Sequence, residues 1–347
     1  MLDKFDHGGD IYSQQVSLDF SVNINPLGMP TAVRDAIINA VDSYKNYPDP
    51  KCRKLCAALA ERLGCSGDWL LCGNGAADLI IRLCLSIKPE HVLVCAPTFS
   101  EYEKAALMAG AKVKKYVLSE DCGYCPDASI LDSLPGADIF FLCNPNNPTG
   151  VLAPPELIRK IADRCEAQGT VFMIDECFLE FTNAPTSMPL LADHPHMIIL
   201  RAFTKIYSVP GLRLGYAVSA NPNLLSGISY FGQSWNVSGP AQAAGLAALE
   251  LEPEWTERTC AFIAEENAYV RGKLRGLGLK VWDGAANYTL FRAPKYLGSR
   301  LMEHHILVRS CSNYTGLSDE HWRFGIKQRE QNEILISRIR EVLTSEN

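Results

Sequence analysis

Residues 137–150 read ADIFFLCNPNNPTG, an apolar run of strand length that breaks into a polar turn. The same form recurs in TVFMIDE at 170–176 and in MIILRAFTK at 197–205. Runs this short and this continuously apolar suit strands covered on both faces, as in a parallel sheet flanked by helices. Ligands of open parallel sheets bind beyond the carboxyl ends of the strands. If the three runs lie parallel, one sheet edge receives Asn144, Asn146 and Asn147, then Asp175 and Glu176, then Thr204 and Lys205. Arg213 follows eight residues later. Each residue alone has an ordinary reading: a turn for Asn147, a helix cap for Asp175, a solvated charge for Lys205, a surface ion pair for Arg213. An amide, a carboxylate, an amine and a guanidinium together on one edge point to a site.

Working outward, further strands are expected at HVLVCAP (91–97), AKVKKYVL (111–118) and LGYAVS (214–219). Helices separate them, such as PPELIRKIADRCEAQG (154–169), with proline at its start and glycine at its end. The rhythm indicates an α/β fold with right-handed crossovers. After about residue 236 the character changes. A long helical region (239–278), interrupted by Pro253, leads to short strands at Leu279–Trp282, Tyr288–Arg292, Ile306–Arg309 and His321–Ile326, and then to a terminal helix at Glu330–Leu343. The expected division is an arm over 1–30, a large α/β domain over 31–236, and a linker helix with a small α+β domain over 237–347. A chain of 347 residues has room for two such units and a sizeable core.

Composition removes several function classes. A net charge of -6 argues against a dedicated nucleic-acid binder. No run reaches the roughly 18 apolar residues of a bilayer span, and the start, MLDKFDHGGDIYSQQ, lacks the apolar core of a signal peptide. A cytoplasmic protein is expected. Thirteen cysteines, an odd number, suit reduced thiols acting as small hydrophobes. Cys122 and Cys125 form a lone C-x-x-C, and Cys52 and Cys56 could share a helix face. Neither pair has the partners of a structural zinc site, so a plain loop stands beside a metal or redox reading, and no metal is expected.

Upstream, LLCGNGAADLI (70–80) places Gly75, Ala76 and Ala77 at the entry of an apolar helix. Small residues there let backbone N–H groups approach an anion at the positive helix end. The spacing is neither a P-loop nor a dinucleotide fingerprint, but it suits one phosphate, closed on the far side by Thr204 and Arg213. One phosphate, a lysine, a strand-end aspartate and an asparagine together fit pyridoxal 5'-phosphate (PLP).

The chain resembles the fold-type I PLP enzymes of the aminotransferase class I/II superfamily over nearly its whole length. FTKIYSVPGLRLGY (203–216) is the most specific segment, supported by NPNNPTG and DECFLEF. The resemblance implies a mostly parallel seven-stranded sheet in the large domain, with a small α+β domain. It implies that Lys205 holds PLP covalently, Asp175 keeps the ring nitrogen protonated, and Asn147 bonds the phenolic oxygen. Thr204, Arg213 and the Gly75, Ala76 and Ala77 amides would bind its phosphate. Phe99, in APTFSEY, would stack on the ring. Tyr47, in NYPDP, would reach the phosphate of the neighbouring subunit in a homodimer. Two positions depart from the common pattern: Phe178 stands where a tyrosine is frequent, and Ala202 where a phosphate-binding Ser or Thr is common.

Lys205 and Asp175 identify a cofactor, not a reaction. Two subgroups compete, histidinol-phosphate aminotransferase and the threonine-phosphate decarboxylase of cobalamin biosynthesis. HGGDIY (7–12), LDFSVNINPLG (18–28), Phe178 and RSCSNYTGL (309–317) resemble the second. That implies decarboxylation of L-threonine O-3-phosphate to (R)-1-aminopropan-2-yl phosphate, or of L-serine O-phosphate to ethanolamine phosphate, with the aminotransferase as the alternative. Arg323, in HWRFGIK, matches the superfamily's carboxylate-binding arginine and is also placed to grip a substrate phosphate. Arg309, Lys327, His7, Asn25 and Asn147 complete the expected substrate contacts.

Overall fold

The computed structural model describes residues 5–344. Its main sheet has seven strands: β1 (Leu70–Gly73), β2 (His91–Ala96), β3 (Lys112–Val117), β4 (Ile139–Cys143), β5 (Val171–Asp175), β6 (Met197–Ala202) and β7 (Gly215–Val218). They lie in the order β1-β7-β6-β5-β4-β2-β3. The five strands from β6 to β3 run parallel, as their apolar runs imply. β4, β5 and β6 are buried along their whole length, because helices cover both faces of the sheet.

Two features depart from the sequence reading. The 214–219 strand runs antiparallel to β6. The segment between them holds only the four-residue helix Phe203–Ile206 and the turn Pro210–Leu212, so the chain doubles back instead of crossing over. β1, which the sequence marks only as a helix entry, pairs antiparallel with β7 and forms the edge. Its four residues are too few to show a strand period.

Helix limits follow local chemistry. The helix Pro155–Gln168 starts on a proline and ends at Gly169, whose φ of 74° suits a residue without a Cβ. The 239–278 region divides into Gly239–Leu249 and Glu254–Gly276 at Pro253. In the C-terminal part, Lys280–Val281, Tyr288–Arg292, His321–Gly325 and Arg309–Ser310 form a four-stranded antiparallel sheet. The expected Ile306–Arg309 strand is split. Ile306–Leu307 pairs instead with Leu18–Asp19, tying the N-terminal arm down beside this sheet. Among the described residues no helix is long and apolar enough to cross a membrane. All thirteen cysteines are free thiols.

Candidate active site

In register, Cys143 at the end of β4 lies opposite Asp175 at the end of β5, and Asp175 lies opposite Leu200 of β6. The three strands therefore finish nearly level, and the residues after them open onto one cavity of about 420 Å³. Asn147, Asp175, Thr204 and Lys205 line it from the sheet edge, and Ala76 and Ala77 from the N-terminus of the helix Ala76–Ile87. Arg213 and Phe99 line it too, with His7, Ser21 and Asn23 of the arm and Arg309, Tyr314 and Arg323 of the C-terminal part.

Asp175 is buried at the cavity floor. Its Oδ1 accepts from the Cys177 backbone N–H at 2.9 Å and its Oδ2 from the Tyr102 hydroxyl at 2.6 Å. Burial raises the carboxyl's pKa, and these two donors oppose that rise. Lys205 faces the same space. Burial, reinforced by the nearby Arg213 and Arg323 charges, lowers its amine from 10.5 to about 8. Among the described residues Lys205 makes no ion pair, so part of its population is a neutral nucleophile at neutral pH.

The helix entry is built around two glycines. Gly75 has a φ of +82°, and a Cβ there would lie 2.6 Å from the Arg213 guanidinium. A Cβ on Gly215 of β7 would lie 2.7 Å from the Ala76 amide nitrogen. Their bareness brings a guanidinium and the first amides of the helix together, as one phosphate requires.

On the opposite wall, Arg309 and Arg323 are directly paired across neighbouring strands. Both are buried. Like charges in that relation repel, and an anion between them would remove the repulsion. Arg323 Nη1 donates to Asn147 Oδ1 at 2.5 Å and Nη2 to the Ser21 carbonyl at 2.7 Å. Among the described residues its Nε has no hydrogen-bond partner, nor has the Oδ1 of Asn23. Arg309 donates to the Asp6 carbonyl and, at 3.0 Å, to Asn313 Oδ1. His7 Nε2 meets Glu101 Oε1 at 2.8 Å, and its ring lies 5.6 Å from that of Phe99.

The profile of the family described as aminotransferase class I and II matches residues 16–339. The chain belongs to that family. A threonine-phosphate decarboxylase of Salmonella typhimurium is 38% identical over 97% of this chain and 96% of its own. A histidinol-phosphate aminotransferase of Symbiobacterium thermophilum is 34% identical over 92% and 89%. Among solved structures, the histidinol-phosphate aminotransferase of Clostridium acetobutylicum superposes with a TM-score of 0.88 at 29% identity, covering 94% of this chain and 99% of that one.

The cofactor of this aminotransferase class is PLP, and the residues present fit it. The glycine-lined helix entry with Arg213 matches its phosphate, buried Asp175 its ring nitrogen, Asn147 its phenolic oxygen, and the amine of Lys205 its aldehyde. Phe178 and Ala202, the two departures from the family's common pattern, both line the cavity. The Phe178 ring packs edge-on against Tyr288, whose hydroxyl donates to the Asn146 carbonyl and so does not replace the missing phenol beside Asn147.

Two expected contacts, Asn25 and Lys327, are placed differently. Asn25 is not in the cavity wall: its Nδ2 donates to the Ile206 carbonyl at 2.7 Å and to Thr259 Oγ1 at 2.9 Å. Asn25 pins the arm beneath Lys205, whose carbonyl accepts from its backbone N–H at 3.1 Å. Lys327 also lies outside the lining; its amine is part-buried and its pKa lowered by burial. Tyr47 is 77% exposed, stacked 4.2 Å from Trp235 and away from this chain's own cavity. Asn144 and Asn146 are structural, the first accepting from Ala153 N–H and the second donating to the Pro97 carbonyl and Thr149 Oγ1. Sequence reasoning missed Ser21, Asn23, Tyr102 and Tyr314. Asn23 stands two residues from the expected Asn25 in SVNINP, a segment that is irregular in the structure, so no side-chain period marks which of the two faces the cavity.

Proposed function

We propose that this protein decarboxylates a phosphorylated amino acid, L-threonine O-3-phosphate before L-serine O-phosphate, and supplies an aminoalkyl phosphate to cobalamin biosynthesis. The observation that carries this reading is the paired, buried Arg309 and Arg323 facing the Lys205–Asp175 edge across one cavity. Two guanidiniums with His7 beside them suit a doubly charged phosphate better than a single carboxylate. The 38% identity to a threonine-phosphate decarboxylase over nearly all of both chains supports the same assignment.

PLP, when bound, supplies an electron sink for the pair left at Cα when a bond there breaks. The chain's residues decide which bond breaks. Arg309, Arg323 and His7 hold the substrate phosphate, which turns the Cα–carboxylate bond away from the guanidiniums. A carboxylate left ungripped is not stabilised in its ground state, and its loss is correspondingly easier. Asp175 holds a proton at the cofactor ring nitrogen. Lys205, with its amine near 8, carries a proton to Cα after carbon dioxide leaves. Asn147 shares its amide between Arg323 and the cofactor oxygen, coupling substrate grip to cofactor polarisation. In a homodimer, exposed Tyr47 completes the neighbouring subunit's phosphate site.

The test is incubation of the PLP-loaded enzyme with threonine phosphate, serine phosphate and histidinol phosphate, each with and without 2-oxoglutarate. Carbon dioxide release from threonine phosphate without an oxo acid is expected. Glutamate formation from 2-oxoglutarate with histidinol phosphate would replace this reading with the aminotransferase one.

A further inference from the structure

Among the described residues the Asp175 carboxylate has two donors, and they differ in kind. The Cys177 N–H is local, two residues along the chain, and any residue at 177 except proline would supply it. The Tyr102 hydroxyl comes from 73 residues away, on the helix Ser100–Met108, and makes the shorter bond at 2.6 Å. Its ring is fully buried. It stacks on Phe141 with centroids 5.1 Å apart and planes 10° apart, and meets Phe99 edge-on at 5.6 Å. Two aromatic contacts therefore fix the position of its hydroxyl oxygen. Burial first, then the charge of Asp175, raises the phenol's pKa well above its ordinary value, so Tyr102 remains the donor and Asp175 the acceptor.

We infer that Tyr102 is a positioning residue of the cofactor site, whose hydroxyl holds Asp175 ionised and oriented toward the ring nitrogen of PLP. The inference rests on the role proposed for Asp175. A carboxylate buried this completely is costly unless its oxygens are hydrogen-bonded. Tyr102 engages Oδ2 from the side of its own helix and leaves lone pairs of both oxygens for the cavity. The same helix start thus delivers two functions three residues apart: Phe99 lines the cavity, and Tyr102 steadies the group beneath it.

Tyr102→Phe removes one atom and keeps both ring contacts. Apo-proteins of wild type, Tyr102→Phe, Phe141→Leu, Asp175→Asn and the Tyr102→Phe/Asp175→Asn double variant are titrated with PLP. Kd is followed by quenching of tryptophan fluorescence, the bound-cofactor absorbance spectrum is recorded at one pH, and kcat and KM are measured on the loaded enzymes. A hydrogen bond to a charged group predicts a rise in Kd of about ten- to hundredfold for Tyr102→Phe. Its absorbance bands should shift and kcat should fall, with KM within twofold. Phe141→Leu, which disturbs packing but not the hydroxyl, should keep the wild-type spectrum. In the Asp175→Asn background the added Tyr102→Phe change should move Kd less than twofold. A Tyr102→Phe enzyme matching wild type in Kd and spectrum, beside a weakened Asp175→Asn, overturns this inference alone. The same loss from Tyr102→Phe in both backgrounds also overturns it, since the hydroxyl would not act through Asp175. Wild-type affinity in Asp175→Asn itself overturns the role of Asp175, and this inference with it.

Discussion

Replacing Lys205 with methionine should make the apo-protein more stable at neutral pH, although it removes the residue on which the proposed chemistry turns. Burial, with the Arg213 and Arg323 charges adding to it, lowers the amine from 10.5 to about 8. At about 1.4 kcal/mol per tenfold change in proton affinity, that fall corresponds to about 3 kcal/mol. The figure is an upper bound, because the amine borders a cavity that admits water. Below pH 8 the amine is charged in both folded and unfolded chains, so the folded protein bears the whole cost. Between 8 and 10.5 the unfolded chain binds the proton and the folded one does not, so stability of the wild type climbs with pH. Above 10.5 the amine is neutral in both states and the cost is gone. Methionine keeps an unbranched stem without the charge. The stability difference between variant and wild type should therefore be largest near pH 7 and fade as pH rises through 8 to 10.5. Denaturant unfolding of both apo-proteins at several pH values measures it, since titrating groups that do not sense the Lys205 charge cancel in the difference. Saturating PLP should reverse the order, because a ligand bound more tightly by the folded wild type stabilises it by mass action. A difference that stays flat from pH 6.5 to 10.5, or a variant less stable than wild type at pH 7, would refute the buried-amine argument.

Other substitutions separate the roles assigned to neighbouring residues. Gly75→Ala forces a side chain into a φ of +82° and against the Arg213 guanidinium; with backbone strain of about 1–3 kcal/mol at the cradle, PLP affinity measured by fluorescence titration should fall about tenfold or more. Arg323→Lys removes the fork that engages Asn147 and the Ser21 carbonyl, and steady-state kinetics should show kcat/KM falling by about a hundredfold, since lysine cannot pair as a fork. Asn25→Ala should act on stability instead, lowering unfolding free energy by about 1–3 kcal/mol as two buried donor bonds are lost, while KM for the phosphorylated amino acid stays within threefold.

The sheet was legible because its central strands are buried on both faces. Ile139–Cys143, Val171–Asp175 and Met197–Ala202 each begin and end within two residues of the apolar run that announced them. The residues at their ends were legible for the same reason: parallel strands of matched length deliver their succeeding turns to one edge. Less visible was whatever depends on a long-range partner rather than a local period. β1 is four residues long and becomes a strand by pairing with β7. Ile306–Leu307 and Arg309–Ser310 looked like one strand because nothing local records that one half pairs with the arm and the other with His321–Gly325. Asn25 and Lys327 were polar residues in promising motifs, but a polar side chain near a site is as easily spent on holding backbone. Asn25 bonds the Ile206 carbonyl, and whether it does this or faces the ligand is settled by the fold around it. Tyr102 was concealed by its surroundings: in APTFSEY nothing distinguishes a tyrosine aimed at Asp175 from one that fills the core.

The charge of the whole chain and the charge of the cavity have opposite signs, and that contrast has a physical consequence. The chain carries a net -6, yet Lys205, Arg213, Arg309 and Arg323 line the cavity against the carboxylates of Asp175 and Glu101. Glu101 already engages His7, which among the described lining residues leaves Asp175 as the carboxylate facing the four cations. Arg309 and Arg323 are buried with neutral hydrogen-bond partners, and a buried charge without a counter-ion is costly, a cost that a bound phosphate would offset. In the proposed reading the cofactor phosphate sits at the Gly75–Arg213 end, where Arg213 is exposed, and the substrate phosphate at the buried Arg309–Arg323 end. The two ends are joined through Arg323, which bonds Asn147, the expected ligand of the cofactor's phenolic oxygen. Occupation of one end should therefore strengthen binding at the other, and by linkage the coupling must be equal in both directions.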